Sequence, residues 1–226
     1  MHVRLISYSQ PFPHVHSGEP GIMGLDNIQD LIAYCARVSN PTNQANTRTT
    51  AKLLDYLIKH KHWSPFEMAS ACIEITTTRD IARQLLRHRS FSFQEFSQRY
   101  ADIRDLDDNF VIRDARLQDP KNRQNSIEND DNDLQERWAE MQGDVIACAK
   151  AAYNWAIVNG IAKEQARCVL PEGNTKSRMY MNGTLRSWLH YIDLRAENGT
   201  QAEHMAIARE CAKVISEVYP VEVAND

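Results

Sequence analysis

The chain has 226 residues, enough for one domain with an ample core. Apolar residues at 42% and charged residues at 25% are ordinary for a globular protein, and 26 basic against 30 acidic side chains leave a net charge of −4. That balance argues against a general nucleic-acid binder, and no apolar run approaches the length of a membrane span. Five cysteines (Cys35, Cys72, Cys148, Cys168 and Cys211) show no C-x-x-C spacing. They read as reduced, mostly buried thiols, and with no apolar signal sequence at the start a cytoplasmic protein is expected.

Residues 2–9 alternate weakly, Val3 and Leu5 against Arg4, and predict a first strand. Pro11 to Gly24 is a loop; its His14 and His16 have no adjoining cysteine or acidic cluster, so they read as an exposed pair and not as metal ligands. Helices are expected over Asn27–Val38, with Ile28, Leu31, Ile32 and Cys35 inward, and over Thr47–His60, with Leu53, Leu54, Leu57 and Ile58 inward. His60 and His62 fit a favourable charge placement at the negative end of that second helix. Met68 to Thr76 alternates cleanly and predicts a half-buried strand, with Ala69, Ala71, Ile73 and Ile75 on the inner face.

Thr78 to Tyr100 follows, and the chemistry concentrates there. Thr77-Thr78-Arg79-Asp80 offers a hydroxyl three residues before an acid, a capping signature for a helix in which Arg79, Arg83 and Arg87 recur every four residues along one side. From Ser90 the helical period is lost, and hydroxyls, glutamines and phenylalanines take over. Arginine forks beside serine hydroxyls suit a phosphorylated ligand.

Residues 101–132 are acidic and polar and read as an exposed insertion with one short strand at Phe110–Ile112. Its Asp130, Asp131 and Asp133 belong to a solvated loop. A long helix is expected over Leu134–Asn159. Leu134, Trp138, Met141, Val145, Cys148, Ala152 and Ala156 form a stripe that must face a core or another subunit. A short helix over Ile161–Leu170 ends at Pro171, with Arg167 and Cys168 near its end. Cys168 reads as a buried thiol, because no histidine or acid near it in sequence could act as its base. Asn182–Thr184 caps a helix over Leu185–Glu197, on which Arg186, His190 and Asp193 share one face while Arg195 lies toward the apolar Trp188 side. A last helix spans Gln201–Glu217.

None of the usual nucleotide-binding or hydrolase signatures is present. From the residues alone, the chain offers an arginine-built phosphate-ester site, used either in catalysis or to hold an RNA segment. A metal-dependent nucleotide hydrolase using His60 and His62 is a further rival.

The run Arg87-His88-Arg89-Ser90-Phe91-Ser92-Phe93-Gln94-Glu95-Phe96-Ser97-Gln98-Arg99 resembles the R-H-R-x-x-S-x-N-x-x-S-x-R motif of the flavin-dependent thymidylate synthase (ThyX) family, with Gln94 in place of the asparagine. Ala36–Ser39, His62 with Ser64–Glu67, Ala82–Gln84, Ala166–Pro171 and Leu194–Ala196 resemble its other shared segments in the same order, so the likeness spans about residues 30 to 215. The resemblance implies one α+β catalytic domain with an antiparallel sheet, assembled as a homotetramer with shared active sites. It implies reductive methylation of dUMP to dTMP with methylenetetrahydrofolate, through FAD and NAD(P)H, with NADPH the family's usual reductant. It further implies a dUMP site of Gln84, Arg87, Glu95, Phe96, Ser97, Gln98, Arg99 and Arg167, and Arg195 as the catalytic residue against the uracil. FAD contacts would come from Ser64, Arg87, His88, Arg89, Glu95, Thr184, Arg186 and His190, with no metal. A catalytically inactive relative that holds dUMP or RNA is the alternative.

Overall fold

The computed structural model describes residues 1–12, 25–106, 109–197 and 199–219, so His14 and His16 lie outside the described residues. In chain order its elements are β1 (His2–Tyr8), α1 (Ile28–Ala36), α2 (Thr50–Lys59), β2 (Ser70–Thr78), α3 (Arg79–Leu85), β3 (Ser92–Glu95), β4 (Leu117–Gln118), β5 (Ser126–Ile127), α4 (Asn132–Val158), α5 (Lys163–Ala166), β6 (Lys176–Thr184), α6 (Leu185–Arg195) and α7 (Ala202–Val218). The main sheet is antiparallel throughout, in the order β1-β2-β6-β3, and β4 and β5 form a separate hairpin. The α+β class with an antiparallel sheet is therefore as expected.

The sequence reading missed β3, the β4–β5 hairpin and β6, and of these β6 matters most, because it lies between β2 and β3. Its signal was a plain alternation: Ser177, Met179, Met181 and Gly183 are buried, while Arg178, Tyr180 and Asn182 are exposed. β6 pairs with β2 along its whole length, Ser70 opposite Thr184 and Thr78 opposite Lys176. The residues on its inner face meet Ala71, Ile73 and Ile75 of β2 in one core with Trp188, Tyr191, Ile207 and Ile215 from α6 and α7. Trp188 is fully buried and donates its indole N–H to the carbonyl of Ala71 at 3.0 Å. Removing a side chain of that size from water is worth on the order of 4 kcal/mol. On the outer face the apolar pattern stops, and the buried Glu74 carboxylate is met by Arg4 from β1 at 2.9 Å and by the Tyr180 hydroxyl of β6.

Several expectations need correction. α3 ends at Leu85, so Arg87 lies beyond the helix, and Arg79 and Arg83 are tied to Glu95 and Glu172. Thr78 caps nothing with its side chain; its hydroxyl donates to Asp80 at 2.6 Å. Of the five cysteines only Cys211 is buried; Cys148 and Cys168 are exposed. Cys168 sits in a tight turn, Arg167–Val169, after a helix of only four residues, which turns its side chain outward. Of the stripe on α4, expected to face a core or another subunit, Leu134 at 41%, Trp138 at 45% and Val145 at 52% are exposed in the single chain while Ala156 is buried, so for the exposed part only the second alternative stays open. The inward residues are Gln142, Ile146, Ala149, Tyr153 and Ala156.

The insertion is less loose than its composition suggests. Phe110 bridges to Thr175, Val111 donates its amide to the carbonyl of Asn174 at 2.8 Å, and Arg113 pairs with Asp80 at the start of α3. Arg116 reaches Glu203 in the first turn of α7.

The close packing of β6 on the segment after α3 gives a direct test. A Cβ on Gly183 would lie 2.4 Å from Cδ1 of Phe91, a ring itself held edge-on against Trp188 at 4.7 Å. Gly183→Ala is expected to destabilise the protein by about 2 kcal/mol through overpacking, a fall in Tm of about 6 °C for a chain of this size. Adding Phe91→Leu should recover part of it. An unchanged melting curve for the single variant would show that the ring moves freely.

Candidate active site

β2 and β6 run antiparallel, so the helices that follow them, α3 and α6, start at opposite ends of the sheet. The residues just past α3 and the last turn of α6 consequently converge, and the first turn of α7 packs beside them. Arg195, the last residue of α6, donates its Nε–H to Nε2 of His88 at 3.2 Å. That bond requires a neutral His88 with its proton on Nδ1. Burial, and then the charges of Arg195 and Arg87, hold the His88 pKa below its ordinary value, in agreement with the geometry. The His88 ring stands perpendicular to Tyr191 at 5.0 Å and to His204 at 5.9 Å.

Gln84, on the last turn of α3, belongs to the same cluster. Its Nε2 donates to Oε1 of Gln201 at 2.7 Å, and its Oε1 lies 3.1 Å from Nδ1 of His204. His204 is buried, and its pKa is pushed down to about 4 by burial first and then by Arg195 and His88. The sequence reading missed Gln201, Glu203 and His204. The available signal was a run of polar residues opening a helix straight after the Gly199 turn.

A second cluster forms where β3 leaves the sheet. Glu95 accepts from the Ser177 hydroxyl at 2.7 Å and from Arg79 at 3.3 Å, and the amide of Phe96 donates to the carbonyl of Arg178 at 2.8 Å. The next residues turn away: Ser97 Oγ accepts from the Arg99 amide at 3.4 Å, and Gln98 is buried with its Nε2 unpartnered. Arg99 and Arg167 meet on Glu164, Arg99 facing its carboxylate at 3.6 Å and Arg167 donating to its backbone carbonyl at 3.3 Å. Two arginines far apart in sequence thus share one locality, and the Ser97 hydroxyl lies against the backbone amide of Arg99. Such a group offers several donors to an oxyanion.

The third cluster sits at the start of α6. Thr184 caps that helix by accepting from the Ser187 amide at 3.3 Å, and the Ser187 hydroxyl donates to the carbonyl of Ser90 at 3.2 Å. Arg186 is ion-paired with Glu67, in the same short turn as Ser64. The exposed His190 packs edge-on to Trp63 at 4.6 Å. Between the clusters Arg87 and Arg89 are exposed, and neither makes an ion pair among the described residues.

The structure therefore brings Gln84, His88 and Arg195 together, Ser97 with Arg99 and Arg167 together, and Ser64 near Arg186. Among the described residues the three groups stand as separate clusters of contacts. Two cavities of about 470 and 530 Å³ open elsewhere, one between α1 and α2 and the other beside the β4–β5 hairpin, and neither is lined by any of the expected site residues. No group of three or more His, Cys, Asp or Glu residues is arranged to hold a metal ion among the described residues.

Residues 23–221 match the family model described as "Thymidylate synthase complementing protein" (Thy1). The chain is 48% identical over 202 residues to the "Probable flavin-dependent thymidylate synthase" of Paramecium bursaria Chlorella virus 1, a match that covers 89% of this chain and 92% of that protein. It is 46% identical over 224 residues to the "Flavin-dependent thymidylate synthase" of a Synechocystis species, covering 99% and 98%. The fold is that of a UMP/dUMP methylase, PolB from Streptomyces cacaoi, whose crystal structure with 5-Br dUMP superposes with a TM-score of 0.78 over 97% of this chain and 91% of that one at 24% identity. The chain belongs to the Thy1 family, that of the flavin-dependent thymidylate synthases.

Proposed function

We propose that this protein is a flavin-dependent thymidylate synthase, one catalytic domain that converts dUMP to dTMP with methylenetetrahydrofolate as carbon donor and NAD(P)H as reductant. The observation that carries the reading is the contact between Arg195 and a neutral His88, with the Gln84 amide in the same cluster. A guanidinium that has a neutral acceptor and no carboxylate partner keeps its full charge for a ligand. Against a uracil ring it would stabilise the negative charge that develops as N3 loses its proton, which makes C5 more nucleophilic toward the incoming carbon.

The donor set fits FAD. Arg87 and Arg89 are exposed cations without ion-pair partners among the described residues, and the cluster at the start of α6 adds the Ser64 and Thr184 hydroxyls and the exposed His190 ring. The Arg87-His88-Arg89 run would hold the flavin, with Arg186 joining by exchanging Glu67 for a phosphate. When bound, the flavin supplies the reducing equivalents for the methyl group. The chain's own residues bind and orient: Ser97, Arg99 and Arg167 take the dUMP phosphate, Gln84 a polar edge of the nucleotide, and Glu95, Phe96 and Gln98 shape the wall between them.

The scattered clusters fit a site completed by other subunits of a homotetramer, and the exposed Trp138, Met141 and Val145 on α4 offer an apolar face for assembly. No helix is long and apolar enough to cross a membrane among the described residues, and the five cysteines are free, so a cytoplasmic setting goes with the reading.

Three measurements test it. The purified protein should be yellow or take up FAD, should form dTMP, and should be indifferent to a chelator. A colourless protein that refuses FAD would favour an inactive dUMP- or RNA-binding relative, and loss of activity with chelator would favour the metal-dependent hydrolase. Arg195→Ala should keep its flavin yet lose dTMP formation by about 10²-fold or more, the scale of removing one charge-stabilising donor; near-wild-type turnover would sink the assignment. Val145→Asp should convert the assembly to smaller species in sedimentation and lower turnover with it, whereas an unchanged assembly would place the interface elsewhere.

A further inference from the structure

Five polar side chains, from α3, the start of α7 and the insertion, form a continuous line of four contacts. Arg116 pairs with Oε1 of Glu203, and Oε2 of Glu203 accepts from Nε2 of Gln201 at 3.0 Å. Oε1 of Gln201 accepts from Nε2 of Gln84 at 2.7 Å, and Oε1 of Gln84 faces Nδ1 of His204 at 3.1 Å. We infer that Glu203 is a positioning residue that acts through Gln201 to fix which edge of the Gln84 amide faces the ligand. The inference rests on reading Gln84 as a dUMP contact.

A guanidinium can only donate and a carboxylate can only accept. Gln201 must therefore turn its NH2 toward Glu203 and its carbonyl toward Gln84. Gln84 in turn must present its NH2 to Gln201 and its carbonyl to His204. His204 must then carry its proton on Nδ1, which a buried neutral imidazole can do. Every link has one permitted direction, and the direction is imposed at the far end, by the charge on Glu203. Burial alone would raise the Glu203 pKa, but its backbone N–H, the Gln201 amide and Arg116 outweigh that and hold it below the ordinary carboxylate range. What remains for a ligand is one N–H and one lone pair of Gln84, each on a fixed side. Without the chain, the amide could rotate by half a turn at little cost and offer a carbonyl where an N–H is wanted.

The sharpest variant is Glu203→Gln, nearly identical in shape. Arg116 would still demand an acceptor, so the new amide must turn its carbonyl to Arg116 and its NH2 to Gln201. Every link beyond it then reverses, including Gln84. A double variant, Gln201→Glu with Glu203→Gln, moves the acceptor-only group one link inward and restores the original direction at Gln84 with the same net charge.

The experiment is calorimetric binding of dUMP to the FAD-loaded protein, with Tm and flavin content recorded for each variant, and dTMP formation at saturating dUMP. Glu203→Gln should bind dUMP about tenfold more weakly, the effect of one mismatched hydrogen bond, with kcat within about threefold of wild type. The double variant should return to within about threefold of wild-type affinity. If Glu203→Gln does not fold, Gln201→Met, which cuts the chain and leaves the Arg116–Glu203 pair intact, should weaken dUMP about threefold. Wild-type affinity in Glu203→Gln or in Gln201→Met, or a double variant as weak as the single one at equal flavin content, overturns the inference. A wild-type protein that neither binds dUMP nor forms dTMP overturns the functional reading itself, and a wild-type protein that does both while the variants fail to follow overturns only the role of Glu203.

Discussion

The antiparallel pairing of β2 with β6 is the constraint on which the rest depends. Residue pairs from Ser70–Thr184 to Thr78–Lys176 lock the two strands in one register. A slip of one residue would turn Ile73, Ile75, Met179 and Met181 out of the core and bring Tyr180 and Asn182 in. Each strand feeds a helix without a loop, β2 into α3 and β6 into α6. The register therefore sets where those helices begin, and their lengths set where Gln84, His88 and Arg195 end up. A contact between His88 and Arg195, separated by more than a hundred residues, is fixed by strand pairing and not by anything local to either residue.

This origin explains what could be read from the sequence and what could not. α1, α2 and α7 announced themselves by periodicity because each buries its apolar face, whereas on α4 the stripe that repeats is largely exposed and Ile146, Ala149 and Tyr153 turn inward. The Asn182–Thr184 cap was legible, and Thr184 accepts the expected backbone bond, whereas Asn27, read as the first helical residue, is in fact the cap of α1. β6 did not announce itself, because its inner face carries Ser177 and Gly183 beside two methionines, a pattern with weak strand propensity. Its place in the sheet comes from β2 and β3 on either side. Cys168 was placed indoors on the argument that nothing nearby could activate it. The absence of a base speaks to reactivity and not to burial, and a short turn exposes the side chain.

The density of arginine was legible in the sequence, but the sharing out of its charge was not. A run dense in arginine suggested one phosphate cradle, yet the structure sorts those arginines by partner. Arg79 and Arg83 are neutralised by Glu95 and Glu172, so they brace α3 against β3 and against the turn after Leu170. Arg87 and Arg89 are left without carboxylates among the described residues. Sequence spacing cannot make that division, because the carboxylates arrive from elsewhere in the chain.

The two histidines near Arg195 complete the logic. Placing imidazoles beside a buried-side guanidinium is tolerable only while both are neutral, and burial keeps them so. A carboxylate in the position of His88 would tie Arg195 into an ion pair and cancel its field, while a second cation would repel it. A neutral ring acceptor holds the guanidinium in place through one hydrogen bond and leaves its charge and its remaining N–H groups uncommitted. The same economy governs Gln84, whose amide has no charge of its own and takes its direction from a carboxylate two links away. In both cases charge is kept one step back from the ligand or left free for it, so an anionic nucleotide would meet oriented donors that need little rearrangement as it binds.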